Sequence, residues 1–314
     1  MLQSGVLAST AHALDAVKVG NTPLLDVSFA FPELGDKVRI AAKAEWANPG
    51  GSVKDRAAYF IVKDALETGK LAGGKVLLDS SSGNTGIAYA WLGARLGVKV
   101  ALAVPGSIAK QRRAILEAYG VELFFTDPLE GSDGAIREVR LMLKAEPGRY
   151  WYADQYSNPM TWRAHYETTA VEIFEQTAGK VTHFVAGLGT SGTFVGAGRR
   201  LRELKPGVRL VSMEPDGPMH GLEGLKHMET SIIPKIYDDS VADSRIEIAT
   251  EEAQEAARAL GRRGGILLGP SGGANLAAAL RLGKDLAKQG REAVIATVFA
   301  DSGERYLGER FWQP

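Results

Sequence analysis

The chain has 314 residues, and its 37 Lys plus Arg are balanced by 37 Asp plus Glu. That length carries two lobes with sizeable cores or one large α/β domain. Neutral charge without a basic block argues against a nucleic-acid partner. The absence of cysteine excludes disulfides, thiolate metal sites and a cysteine nucleophile.

From the N-terminus, MLQSGVLASTAHALDAVKVG has no basic residue before Lys18 and only a weak apolar run, so no signal peptide is expected. KVRIAAKAE (37–45) reads as a strand. NPGGSVKDRAAYFIVKDALETG then reads as a helix over about 53–68, with Ser52 as cap, Asp55 closing a capping box and Gly69 ending it. Val53, Ala57, Ala58, Phe60, Ile61, Ala65 and Leu66 give it an apolar face. Lys54 falls in the first turn, where the helix dipole disfavours a fixed positive charge by about 0.3–1 kcal/mol. Either this is an ordinary charged end beside Asp55 and Arg56, or the amine is wanted unprotonated or linked as an imine.

KVLLDSS (75–81) is the next strand, and SSSGNTG (80–86) leads into a helix over 85–96. Its hydroxyls and N–H groups suit a carboxylate and Asn84 suits a ring oxygen; the plainer reading is a turn with a serine cap. Strands follow at 99–105 and 121–126, and helices at 109–119, 132–145 and 161–177. The turn-rich EPGRYWYADQYSNP (146–159) marks a lobe boundary.

THFVAGL (182–188) is a strand that enters GLGTSGT (187–193) and a helix over 192–204. The hydroxyls of Thr190, Ser191 and Thr193 and the helix-start N–H groups can hold a phosphate, with glycines letting the backbone approach it closely. Gly187, Gly189 and Gly192 also spell G-x-G-x-x-G, and VRLVSMEP (208–215) then brings Glu214 to a strand end. That imitates a dinucleotide fingerprint, so a nicotinamide-dependent dehydrogenase is a rival on this stretch. After a helix over 251–263, LLGPSGGANLAAAL (267–280) starts another helix, and Ser271 there is either a cap or a partner for a heteroaromatic nitrogen. AVIATVFAD (293–301) is the last strand, and apolar runs of that length fall far short of a membrane span. His12, His165, His183, His220 and His227 are scattered without ligand spacing, so no metal is expected. The alternation predicts an α/β protein built from doubly wound open sheets. A soluble, cytoplasmic protein is expected.

NPGGSVKDR, SSGNTG, GTSGT and GPSGGA, in this order, resemble the cysteine synthases (O-acetylserine sulfhydrylases), pyridoxal-phosphate enzymes of the tryptophan-synthase β fold. The likeness runs from VGNTPLL (19–25) through DQYSNP and AHYETT to ADSGERYL (300–307), and EPDGPMHGLEGLKHM (214–228) looks closer to the B-type enzymes. The resemblance implies two doubly wound lobes, a smaller one over 48–155 and a larger one over 1–47 and 156–314, with the cofactor in the cleft between them. It implies Lys54 as the Schiff-base lysine and general base, and Asn84 as partner of the cofactor's phenolic oxygen. Gly189, Thr190, Ser191, Gly192 and Thr193 would hold its phosphate, and Ser271 its ring nitrogen. Ser81, Ser82, Thr85 and Gln155 would receive the substrate carboxylate. The reaction implied is β-replacement, forming L-cysteine from O-acetyl-L-serine and sulfide through an α-aminoacrylate, in a homodimer. A serine acetyltransferase tail or a sulfur-carrier protein are the partners of that reading.

Departures are few. Ser81-Ser82 replaces a common Thr-Ser, Ala170-Val171 replaces Gly-Pro, and Gly272 replaces the second serine of a Ser-Ser-Gly-Ala turn. Segment 216–230 varies most among members of the family it resembles, which leaves leaving group and co-substrate open, with Lys226 and His220 suited to a phosphorylated leaving group or to plain solvation. The alternatives are an O-phosphoserine-dependent enzyme, a cystathionine β-synthase-like enzyme, and more distantly the dehydrogenase or a non-catalytic scaffold. The dehydrogenase leaves Lys54, the SGNTG turn and Ser271 without a purpose, and retention of Lys54 argues against the scaffold.

Overall fold

The computed structural model describes residues 14, 16–308, 311 and 312. The strands are β1 Leu24–Asp26, β2 Val38–Ala44, β3 Val76–Ser80, β4 Val100–Pro105, β5 Glu122–Thr126, β6 Tyr150–Tyr152, β7 His183–Gly187, β8 Arg209–Pro215, β9 Ser244–Ile248 and β10 Ala293–Phe299. The helices are α1 Lys54–Glu67, α2 Asn84–Leu96, α3 Lys110–Ala118, α4 Gly131–Ala145, α5 Met160–Ala164, α6 Ala170–Gln176, α7 Gly192–Leu204, α8 Thr250–Gly264 and α9 Pro270–Lys288.

These elements fall into two compact units, one of Lys54–Met160 with the described residues up to Val19, the other of Gly20–Val53 and the chain from Thr161 on. Residues 48–53 belong to the second unit because they are bonded into it. Val53 N–H donates to Ala300 O at 2.8 Å, and Ser52 forms a bridge with Asp301. Residues 156–160 stay with the first, where Asn158 Nδ2 donates to Ala153 O at 2.9 Å.

The first unit is a four-stranded parallel sheet in the order β5-β4-β3-β6. All five residues of β3 are buried, as expected where helices cover both faces of a parallel sheet. Leu77, Tyr89, Leu92 and Leu102 pack with α1 on one side; Leu78, Val139 and Met142 pack with α4 on the other. The second unit is a six-stranded sheet in the order β1-β2-β10-β7-β8-β9, parallel except for the β1–β2 pair. Its cores gather Val185, Met213, Leu276 and Phe299 on one side and Phe184, Phe194 and Val298 on the other.

Three strands escape the sequence pattern. β1 and β6 have three residues each, and β9, SRIEI, is a polar edge strand with only Ile248 buried. The helix expected over 161–177 is interrupted, with a π-helical segment His165–Thr169 between α5 and α6. Thr168 Oγ1 donates to Ala164 O at 2.6 Å and His165 Nδ1 meets Thr169 Oγ1 at 2.9 Å, so side chains compete there with the backbone ladder. α1 begins at Lys54, two residues after Ser52, and Ser52 also forms a bridge with Asp301.

Candidate active site

In the first unit, β3 feeds a turn that opens α2 with Gly83 as its cap residue, and Gly83 contributes no side-chain bond. Ser81 supplies one instead, its Oγ accepting from Gly86 N–H at 3.1 Å. The hydroxyl proton of Ser81 remains a donor, so a capping role and a binding role coexist in one group. Thr85 is buried and its Oγ1 donates to Gln155 Oε1 at 2.7 Å, joining the turn to the loop after β6. The structure thus brings Ser81, Thr85 and Gln155 together, with Ser82 and Asn84 in the same turn. The helix adds outward N–H groups and has no acidic residue in its first turn. Such an arrangement of donors can receive a carboxylate.

Lys54 heads α1 in the same unit and is half-buried rather than exposed. Behind it, Asp55 is fully buried and accepts from Trp91 Nε1 of α2 at 2.9 Å. This bond ties the helix carrying the lysine to the helix carrying the carboxylate turn. Trp91 carries no motif signal and is missed from sequence.

In the second unit, β7 feeds the turn of Gly189, Thr190, Ser191, Gly192 and Thr193 at the head of α7. Ser191 occupies the left-handed region at φ 69° directly before the helix, a conformation unfavourable for a residue other than glycine. Its Oγ is buried and has no hydrogen-bond partner. The glycines also answer to the protein's own packing. A Cβ on Gly189 would lie 2.1 Å from Gly224 O, and one on Gly192 2.7 Å from Thr161 Cγ2. The close approach that demands glycine is therefore made by the protein's own neighbouring segments.

Ser271 is the second residue of α9, after the cap residue Gly269 and Pro270, so it is not the helix cap. One turn on, Asn275 Oδ1 accepts from Gly187 N–H at 2.7 Å and its Nδ2 donates to Val298 O at 2.7 Å. That side chain fixes α9 to the strand end that precedes the 189–193 turn. Glu214, the acid of the dinucleotide-like pattern, is already engaged: its Oε2 accepts from Met228 N–H at 2.9 Å and its Oε1 pairs with Arg245 at 2.8 Å. Both of its carboxylate oxygens are thus engaged within the protein.

Two further residues were not legible as site residues. Asp79 is fully buried on β3, two positions before Ser81. Asp154, just before Gln155, has φ 47°. An acid inside the apolar run VLLDS was the available signal for the first.

The residues fit pyridoxal phosphate. A buried serine hydroxyl lacking an acceptor, at the N-terminus of a thirteen-residue helix with no acid in its first turn, matches a phosphate. Among the described residues no group of side chains could hold a metal ion, and no helix is long and apolar enough to cross a membrane.

Residues 16–301 match the family described as pyridoxal-phosphate dependent enzyme. The chain is 50% identical to a cysteine synthase of Aquifex aeolicus over 92% of its own length and 89% of that protein's. It is 38% identical to cysteine synthase B of Escherichia coli, over 92% of each. The crystal structure of cysteine synthase from Entamoeba histolytica superposes with a TM-score of 0.89 at 36% identity, covering 96% of this chain and 90% of that one. The chain belongs to the pyridoxal-phosphate-dependent enzymes of fold type II, in the cysteine synthase family.

Proposed function

We propose that this enzyme makes L-cysteine from O-acetyl-L-serine and sulfide by β-replacement. The observation that carries the reading is the pairing, in one unit, of Lys54 at the head of α1 with the Ser81–Thr85–Gln155 cradle at the head of α2. The 50% identical relative named cysteine synthase supports it.

Lys54 would hold the aldehyde carbon of pyridoxal phosphate, residues Gly189 to Thr193 its phosphate, Asn84 its phenolic oxygen and Ser271 its ring nitrogen. When bound, the cofactor supplies the electron sink that loosens the Cα proton and the Cβ substituent of an amino acid. The protein's residues then position and move protons. Ser81, Ser82, Thr85 and Gln155 receive the substrate carboxylate and so fix the direction of the Cα–H bond. Lys54 Nζ takes the proton from Cα and returns it once sulfur has added at Cβ. Ser271 offers a neutral hydroxyl where a carboxylate would hold a proton on the ring nitrogen, which favours replacement at Cβ over transamination.

Acetate as leaving group rests on the relatives named cysteine synthase. His220 is held below its ordinary pKa by burial and then by His227. A cytoplasmic homodimer, and docking of a serine acetyltransferase tail or a sulfur-carrier protein, extend the proposal on the strength of family membership alone.

The test is to load purified protein with pyridoxal phosphate, record its visible absorbance, and measure cysteine formed from sulfide with O-acetylserine or O-phosphoserine. A visible band and cysteine chiefly from O-acetylserine support the reading. A protein that stays colourless with added cofactor overturns it.

A further inference from the structure

Asp79 lies on β3 among polar groups that the reaction above does not use. Its Oδ1 accepts from Ser80 N–H at 2.7 Å, and its Oδ2 accepts from Gln155 N–H at 3.4 Å. The first bond holds the residue before the Ser81–Ser82 turn, and the second holds the residue whose side chain meets Thr85. The next residue of the strand, Ser80, has a buried Oγ with no hydrogen-bond partner, and the Tyr89 phenol faces the Asp79 carboxyl. The backbone of Asp154 is left-handed at φ 47°, and its carbonyl accepts from Ser157 N–H at 3.0 Å and Asn158 N–H at 2.8 Å. This tight turn aims the Gln155 N–H at one group, Asp79, and the Gln155 side chain at another, Thr85.

We propose that Asp79 is a positioning residue for substrate binding: through Gln155 N–H and Ser80 N–H it sets the turn that receives the amino-acid carboxylate. The proposal rests on the reading of Ser81, Thr85 and Gln155 as that receptor. A backbone held by a buried carboxyl group costs nothing to organise when substrate arrives, so Asp79 acts on binding and leaves the proton transfer at Lys54 alone.

The electrostatics agree with this geometry. Burial raises the Asp79 carboxyl to about 7, against the two backbone hydrogen bonds that lower it, and the neighbouring Asp154 raises it further. Tyr89 of α2, Tyr152 of β6 and Tyr156 of the following loop face it, with their phenols raised by burial first and then by Asp79. Asp133 and Arg140 of α4 act on Tyr156 and Tyr152 from behind. A group that titrates there changes its hold on Gln155: ionised, both oxygens accept; protonated, one becomes a donor.

The experiment uses the cofactor-loaded enzyme and the variants Asp79→Asn, Gln155→Ala and the double variant. Asp79→Asn should raise KM for O-acetylserine roughly three- to tenfold, the worth of a lost hydrogen bond, with kcat and cofactor absorbance close to wild type. Because Asp79 acts through Gln155, the double variant should be no worse than the poorer single one. Multiplying effects on KM, an equal fall in kcat, or an unmoved KM would overturn the proposal. A second measurement needs no variant: in isotopically labelled wild-type enzyme the amide resonances of Ser80 and Gln155 should titrate together with a midpoint near 7. Amides that ignore pH across that range would also overturn it. Failure of the wild type to load cofactor or turn over would instead count against the parent reading, leaving the amide titration informative.

Discussion

The turn from β3 into α2 and the turn from β7 into α7 have the same plan, yet the first is tied by a buried acid and a distant glutamine, whereas the second joins a few side-chain bonds, such as Thr193 Oγ1 with His165 Nε2 at 3.2 Å, to close packing of neighbouring segments. In the first, Ser81 bonds Gly86 N–H, Thr85 bonds Gln155, and Asp79 bonds the amides of Ser80 and Gln155. In the second, Gly189 and Gly192 let Gly224 and Thr161 pack against the turn, and Ser191 keeps a buried hydroxyl without a partner. A carboxylate varies in what is attached to it, so its receptor is set by groups that can be read and tuned. A phosphate offers many acceptor oxygens, and helix N–H groups with one spare hydroxyl suffice to hold it.

Five substitutions and one control separate these roles, beginning with the residue on which neither turn can compensate. Lys54→Ala should lower kcat by roughly 10²–10⁴-fold or more while circular dichroism stays that of a folded protein. Retention of wild-type kcat would detach α1 from the chemistry.

Asp79→Asn tests what the buried acid costs the first turn. The native state keeps the Asp79 proton up to about 7, whereas the unfolded chain loses it near 3.8, so wild-type stability falls as pH rises through that window. The full penalty, on the order of 4 kcal/mol, is present above it. Denaturant titrations at pH 4 and pH 8 should therefore show the Asn variant gaining on wild type as pH rises, and a constant difference would contradict the assignment.

Gly189→Ala strains the second turn, because its Cβ would lie 2.1 Å from Gly224 O and backbone must move. A loss of about 1–3 kcal/mol and weaker binding of pyridoxal phosphate are expected. Gly148→Ala is the control, since a Cβ there meets nothing within 4 Å.

The smallest effects carry opposite signs. Ser81→Ala removes a capping bond and should cost about 1 kcal/mol in thermal melts without cofactor. Ser191→Ala removes an unpartnered hydroxyl, so the same melts should be unchanged or slightly higher, while affinity for pyridoxal phosphate falls roughly three- to tenfold. If both variants lose stability alike, the contrast between the two turns is wrong.

Much of this plan is legible in the residues. The runs at 37–45, 75–81, 99–105 and 293–301 are apolar on both faces and become the central parallel strands. The turns around Asn84, Ser191 and Ser271 all open helices. What periodicity cannot carry is long-range pairing. β6 is three residues held to β3 through Val76, Leu77 and Leu78, and Trp91 reaches Asp55 across 36 positions. The π-segment depends on hydroxyls of Thr168 and Thr169 turning back on the helix, a choice that a helical apolar pattern does not record. The Gly187–Gly189–Gly192 pattern misleads for a related reason: a motif gives glycine spacing, whereas the neighbour that needs the space belongs to the fold.

The central claim is that Lys54 holds the cofactor aldehyde. The most direct measurement is borohydride reduction of the enzyme loaded with pyridoxal phosphate, which fixes a lysine–aldehyde linkage, followed by peptide mass mapping. The account predicts the added pyridoxyl group on the peptide containing Lys54, one per chain. Label on another lysine, or none, would contradict it.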